Sequence, residues 1–165
     1  MSKSKVVFLV LALGVGKSFA LQSLSSVAEN LSNFQNVCEV TVSALLDAVE
    51  QAKYSEYLTS SYKNKLTSIG ALKDDKECED SDLRLDVLVL INKTPIQFNN
   101  GVNWIYTYDA SIDVYAKKYQ NLRNVTIYKG WTVGANATIK ESQSSFEDGL
   151  DVYFEKFLSE WNKGH

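Results

Sequence analysis

The chain has 165 residues, of which 45% are hydrophobic, 12% aromatic and 22% charged, enough for one domain with a substantial core and too little for two ordinary ones. Its 17 basic and 20 acidic residues leave a net charge of −3, which argues against a generic nucleic-acid binder. The single histidine, His165, and the two cysteines speak against histidine-based catalysis, multi-histidine metal sites and a four-cysteine zinc site. No metal and no cofactor is expected.

Residues 1–20 read as a secretory signal peptide. Lys3 and Lys5 make a basic start, and residues 6–16 (VVFLVLALGVG) follow as an uncharged, apolar run too short to span a bilayer. Ser18 and Ala20 put small residues where a signal peptidase reads, so the cut falls before Leu21. The competing reading is a buried first strand of a cytosolic fold. Cleavage removes Lys3, Lys5 and Lys17 from the 17 basic residues, leaving 14 against 20 acidic ones and a net charge of −6 over residues 21–165. The mature domain is then acidic, periplasmic or secreted, with no stable membrane insertion. In an oxidising compartment Cys38 and Cys78 are expected to form a disulfide; two separate thiols would follow if the chain stayed in the cytosol.

The stretch KVVFLVLALGVGKS resembles the start of a small GTPase, where Gly14, Gly16, Lys17 and Ser18 match the end of the phosphate loop. That loop needs a glycine where Leu11 stands, so that backbone N–H groups can wrap the phosphates. In VLVLINKTP, Pro95 occupies the place of the base-reading carboxylate. Nucleotide hydrolysis is not expected.

Residues 21–165 read as one α+β domain. Leu21, Leu24, Val27, Ala28 and Leu31 fit a short helix, broken at residues 33–36. Cys38, Val40 and Val42 alternate with Glu39 and Thr41, predicting a half-buried strand. Ser43 is placed to cap a following helix with Leu45, Val49 and Ala52 on one stripe. After a kink near Tyr54 the stripe continues through Leu58, Tyr62, Leu66 and Ile69 to a stop at Gly70. Residues 74–82 (DDKECEDSD) carry six carboxylates in nine positions. No register supplies both the glycine and the bidentate glutamate of a calcium loop, so a solvated loop is expected.

From Leu83 the apolar period becomes two. Leu83, Leu85, Val87, Val89 and Ile91 form one face, and Leu88 and Leu90 on the other predict a strand centre covered on both sides. Asn100-Gly101 is a two-residue hairpin signal, and Pro95 suggests a bulge or an unpaired edge. The returning strand alternates Trp104, Tyr106, Tyr108, Ala110, Ile112 and Val114 with Ile105, Thr107, Asp109, Ser111 and Asp113. Residues 117–123 read as a polar link, and Val125, Ile127, Trp131 and Val133 as the apolar face of a third strand. A final helix is predicted from Ser145 and Asp148, at near capping-box spacing, with Phe146, Leu150, Tyr153, Phe154, Phe157, Leu158 and Trp161 on its core stripe. The expected fold is a mainly antiparallel sheet, in the order β-α-β-β-β-α after the signal peptide, with helices packed on one face.

No catalytic residue is assigned. The polar face of the meander is the candidate binding surface, carried by Asp109, Asp113, Tyr115, Thr126 and Tyr128, because tyrosines and carboxylates side by side suit sugar or peptide contacts. Asp109 and Asp113 share a face but lie about 14 Å apart along the strand, too far for a catalytic dyad. Whether Asp86 or Asp151 approaches either is a tertiary question. The expected function is non-enzymatic binding of a protein or envelope component, with no nucleic-acid partner. The alternative is a small secreted hydrolase using carboxylates, which requires a close pair about 5–9 Å apart in a cleft.

Overall fold

The computed structural model describes residues 27–73, 78–79, 81–98, 101–119 and 122–165. The signal peptide read at residues 1–20, Leu21 and Leu24 of the first helix, and most of the acidic loop lie outside them. In chain order the elements are α1 (Val27–Leu31), β1 (Val37–Leu46), β2 (Val49–Glu50), α2 (Ala52–Ser68), β3 (Leu83–Phe98), β4 (Gly101–Tyr119), β5 (Leu122–Asn136) and α3 (Ile139–Gly164). The strands form one sheet in the order β2-β1-β3-β4-β5. Among the described strands β1 and β3, joined through α2, run parallel, and the other neighbouring pairs are antiparallel. The fold is therefore α+β with a mainly antiparallel sheet and helices stacked against it.

Alternation on β1, β3 and β4 sends Val40, Val42, Ala44, Leu85, Val87, Val89, Ala110, Ile112 and Val114 into the core. There α2 lies on β1, and α3 on β4 and β5. The α3 stripe supplies Phe146, Leu150, Phe154, Phe157 and Leu158, all buried. Cys38 and Cys78 are bridged, with their Cα atoms 5.5 Å apart, closing a segment with a sequence separation of 40 residues. Gly70 ends α2 as expected: its φ of +69° is left-handed, and its N–H donates to the Thr67 carbonyl at 3.0 Å.

Several local expectations are corrected. Ser43 caps no helix; it lies inside β1. The chain then reverses at Asp47 and Ala48, whose φ values of 48° and 64° make a two-residue hairpin turn of the mirror-image type. The Asp47 carboxylate accepts the Lys93 N–H at 2.8 Å, which pins this turn to β3. The β3–β4 register pairs Phe98 with Gly101, so the connection falls at 99–100 and Gly101 is already strand. Pro95 sits beyond Ile91, the last β3 residue paired with β1, where that edge of β3 is unpaired. Residues 117–123 are no loose link, because Lys118 pairs with Arg123 and Tyr119 with Leu122 at the tip of the β4–β5 hairpin.

The third strand also changes phase. Val114 pairs with Tyr128 and Tyr115 with Thr126, so Ile127 is the extra residue of a bulge and the alternation flips past it. Tyr128 and Gly130 then face the helices, while Trp131 and Val133 face away, 51% and 50% exposed. Gly130 is required there: an added Cβ would run into Tyr153 Cβ and lie 2.8 Å from Ile112 Cγ2. Leu88 is 42% exposed, so the centre of β3 is covered on one side only. Finally, α3 begins at Ile139, six residues before Ser145. Thr138 is its N-cap in a full capping box with Glu141, and the buried Ser142 hydroxyl donates to the Tyr106 carbonyl at 3.0 Å.

Candidate functional site

One face of the sheet is sealed by helices. The other is covered by none of the described elements, and the strand registers dictate what lies side by side on it. Across β1, β3, β4 and β5 the first row reads Glu39, Arg84, Tyr115 and Thr126. The next reads Thr41, Asp86, Asp113 and Lys129; then come Ser43, Leu88, Ser111 and Trp131; then Leu45, Leu90, Asp109 and Val133. The face thus divides into a charged half and an apolar half.

Four of the five expected binding residues share this face: Asp109, Asp113, Tyr115 and Thr126. Tyr128 does not. The bulge turns it to the helix side, where it is buried and its hydroxyl donates to the Tyr153 carbonyl at 2.7 Å. Burial raises its pKa above the ordinary tyrosine value.

Asp109 accepts the indole N–H of Trp131 at 2.7 Å, which holds the exposed ring at a fixed place on the face. Asp113 pairs with Lys129 at 3.1 Å, and Glu39 takes the Arg84 Nε–H at 3.0 Å. Asp86 is the carboxylate that the tertiary structure brings to Asp113: the two are direct cross-strand partners, with Cβ atoms about 4.5–5.5 Å apart in such a pair. Asp151 goes elsewhere, to Lys65 at 2.9 Å on the helix layer.

Partial burial raises the pKa of Asp86, and the neighbouring Glu39 and Asp113 charges raise it further, while hydrogen bonds from Tyr115 and Thr41 pull it back. Burial likewise raises the Tyr115 hydroxyl, with the Asp86 carboxylate adding to the effect. Among the described residues no group of three or more acidic, histidine or cysteine side chains is arranged to hold a metal ion.

The raised pKa has a consequence for stability. An acid that binds its proton more tightly when folded makes the native state less stable as pH rises past its unfolded pKa, here near 3.8. Asp86→Asn should therefore stabilise the fold at pH 7 by about 0.5 kcal/mol, since like charges directly opposite cost about 0.2–1 kcal/mol. The gain should shrink as pH falls through the folded and then the unfolded pKa and vanish below about pH 3, where Asp86 is protonated in both states. Thermal unfolding of both proteins between pH 3 and 7 checks it; a gain that is independent of pH refutes the electrostatic origin.

Tertiary pairing singles out Asp86, Arg84, Lys129, Trp131, Val133 and Leu88 in addition to the expected residues. Parity along β3 could have placed Asp86 on this face, but its partner depends on the turn. With a turn at Asn100-Gly101, Asp86 would face Tyr115, because moving a hairpin turn by one residue slides the register by two. Neither the protein-family models nor the curated proteins compared with this chain match it. The reading of the site therefore rests on its own geometry. Among the described residues no helix is long and apolar enough to cross a membrane.

Proposed function

We propose that this chain is an exported, disulfide-bonded binding module of the periplasm or extracellular space. Its open sheet face would receive a protein or envelope component. One observation carries the reading: Trp131, Val133 and Leu88 are 51%, 50% and 42% exposed and lie together on the face that no described helix covers. Trp131 and Leu88 flank the small Ser111 in one row, and Asp109 orients the indole. A rigid, half-exposed tryptophan beside aliphatic side chains is the composition of a binding hot spot. Export is supported by the basic-then-apolar start of the sequence and by the Cys38–Cys78 bridge, which persists in oxidising compartments.

A photo-crosslinking residue placed at Ser111 on the open face should give an adduct in the native host. The same residue at Glu155 on the helix layer should not. Trp131→Ala should abolish the adduct while changing unfolding free energy by no more than about 0.5–1 kcal/mol, the range for an exposed position that loses one hydrogen bond. Equal labelling from both positions would overturn the reading.

The Asp86–Asp113 pair favours a second reading, a carboxylate-dependent hydrolase in which Asp86, with its raised pKa, acts as the acid. Against it, Lys129 occupies Asp113, Tyr115 and Thr41 occupy Asp86, and no described element walls this face to exclude water around a scissile bond. A glycan-hydrolysing activity lost in Asp86→Asn would favour it over the binding module.

A further inference from the structure

An edge strand exposes a row of N–H and C=O groups with which another strand can pair, and natural sheets blunt such edges. On the β1 side this is done in three places. The two residues of β2 pair with Leu45 and Leu46, and the Ala44 N–H donates to Ser55 Oγ at 3.0 Å. The Val37 N–H donates to the Ala71 carbonyl at 2.8 Å, while the Val37 carbonyl accepts the Lys73 N–H at 2.9 Å. Where β3 runs on beyond β1, the Asp47 carboxylate accepts the Lys93 N–H, and Pro95 has no N–H to offer. Near the start of β5, the bulge at Ile127 and the left-handed Asn124 (φ 52°) interrupt the row.

The rest of β5 carries none of these devices. Bonding direction alternates along a strand, and the Ile91 carbonyl accepts the Asp47 N–H on the β1 side, so odd residues of β3 bond toward β1 and even ones toward β4. Carried through the registers, this turns Gly130, Thr132 and Gly134 to β4 and the backbone groups of Lys129, Trp131, Val133 and Ala135 outward. No described residue hydrogen-bonds to those outward groups. Lys129 does not guard the edge, because its ammonium is drawn to Asp113 at 3.1 Å. Above this edge, Gly149 rests on Thr132, where an added Cβ would lie 2.7 Å from Oγ1, while Asp151 and Glu155 reach Lys65 on the α2 side. At about 3.6 residues per turn, the flank of α3 facing away from α2 and over the β5 edge carries Glu141, Asp148, Val152, Lys156 and Lys163. Val152 is 68% exposed. The stripe is acidic before it and basic after it, at matching spacings on either side.

We infer that the chain forms a two-fold dimer through β5, in which Lys129 to Ala135 pairs antiparallel with the same segment of a second copy. Trp131 opposite Val133 of the second copy, with Lys129 opposite its Ala135, is the register that engages all four outward residues. It sets an aromatic beside a β-branched side chain on the open face and places no like charges opposite one another. The axis then passes at Thr132, within about one helical turn of Val152. Antiparallel α3 flanks bring the acidic half of one stripe against the basic half of the other. The occupant is a second copy because the strand edge and the helix flank are self-complementary about one axis, as an isologous interface requires. The dimer goes beyond the partner-binding reading and does not rest on it; it joins two open faces into one surface.

The test is sedimentation equilibrium of the disulfide-bonded protein from its native host, joined to amide hydrogen exchange across a dilution series. Twice the monomer mass is expected, dissociating on dilution. The amides of Lys129, Trp131, Val133 and Ala135 should lose protection as the dimer dissociates, while those of Gly130, Thr132 and Gly134, bonded to β4, keep theirs. Val133→Pro removes an outward N–H without touching the β4 ladder and should raise the dimer dissociation constant roughly tenfold or more, since the two-fold axis removes the same bond twice. Ala135→Pro, nearer the strand end, should act in the same direction and keeps the test decisive if Val133→Pro does not fold. A monomer at every concentration overturns the dimer, whether the odd-numbered amides are open or are covered by another segment of the same chain. A dimer that both proline variants leave unchanged places the interface elsewhere and overturns it too. So does an extended segment of a different host protein found on the edge in place of the second copy.

Discussion

Removing the Cys38–Cys78 bridge is expected to cost about 4 kcal/mol of stability, the value the chain-entropy relation assigns to a loop of this length. The bridge closes a sequence separation of 40 residues that contains nearly all of β1 together with β2 and α2. It also joins the start of β1 to the segment just ahead of β3, where Val37 pairs with Leu83. These two strands form the only parallel pair of the described sheet, and parallel pairing demands a long crossover whose closure entropy must be met before any ladder forms. The bridge meets much of that cost in the unfolded state. Natural domains are stable by about 5–15 kcal/mol in total, so a loss of this size removes a large fraction of the margin. Urea unfolding of the oxidised protein against Cys38→Ser/Cys78→Ser measures it. Hydrogen exchange should localise it, with amides of β1 and α2 exchanging earlier than those of β4. A difference below about 1 kcal/mol would mean that the loop is already ordered without its bridge. A cost near the expected value makes folding dependent on an oxidising environment, which links this measurement to the proposal of export.

The elements that the sequence made legible are those in which hydrophobic period and burial coincide. β3 and β4 are read correctly because one uninterrupted face, Leu83 to Ile91 and Tyr108 to Val114, is the buried face. α2 ends at Gly70 because only a residue without a Cβ takes a left-handed φ cheaply. Misreadings arise where another interaction outweighs the period. At Asp47-Ala48 a mirror-image turn forms without glycine, held by backbone and Asp47 contacts to β3 that no local pattern encodes. The Thr138/Glu141 capping box was present in the sequence, yet the first turns of α3 bury Ser142 through a hydrogen bond to Tyr106 rather than through an apolar stripe. Periodicity therefore started the helix too late.

The candidate site divides along the same line. Parity along β4 is enough to put Asp109, Asp113 and Tyr115 on one face. Tyr128 escapes that logic because a single extra residue, Ile127, reverses the alternation. The same reversal puts Trp131 and Val133, read as core, on the open face. The Asp86–Asp113 pairing needs the register of two strands, which depends on a turn position one residue away from the strongest turn signal. Charged residues usually mark solvated loops, so the sequence alone places Lys118 and Arg123 in a link. Only the ladder shows them held opposite each other.

The reversed phase of β5, which turns Trp131 away from the helices, implies a sharp contrast with a buried aromatic residue on the helix side. Phe154→Ala is expected to cost about 3–5 kcal/mol, the range for truncating a buried aromatic. Phe154 is fully buried on α3. Its ring meets the edge of Tyr62 on α2 with centroids 4.8 Å apart at 73°, and it stacks near Phe157 at 6.0 Å. Lys65 places its ammonium 5.8 Å from the ring centroid, so the residue ties the two long helices to each other above the sheet. Removing it leaves a cavity whose walls are themselves buried aromatics, fixed by Tyr128 packed on Phe157 and therefore slow to collapse. Trp131→Ala removes a larger side chain and should cost no more than about 0.5–1 kcal/mol, because its ring is half exposed and gives up chiefly the Asp109 hydrogen bond. Chemical denaturation of both variants decides the matter. A large difference with Phe154 the costlier identifies the helix side as the only core of the sheet and leaves Trp131 free to serve binding. Comparable losses would mean that the Trp131 face is buried in the working protein, and a binding surface would then have to be sought elsewhere on the molecule.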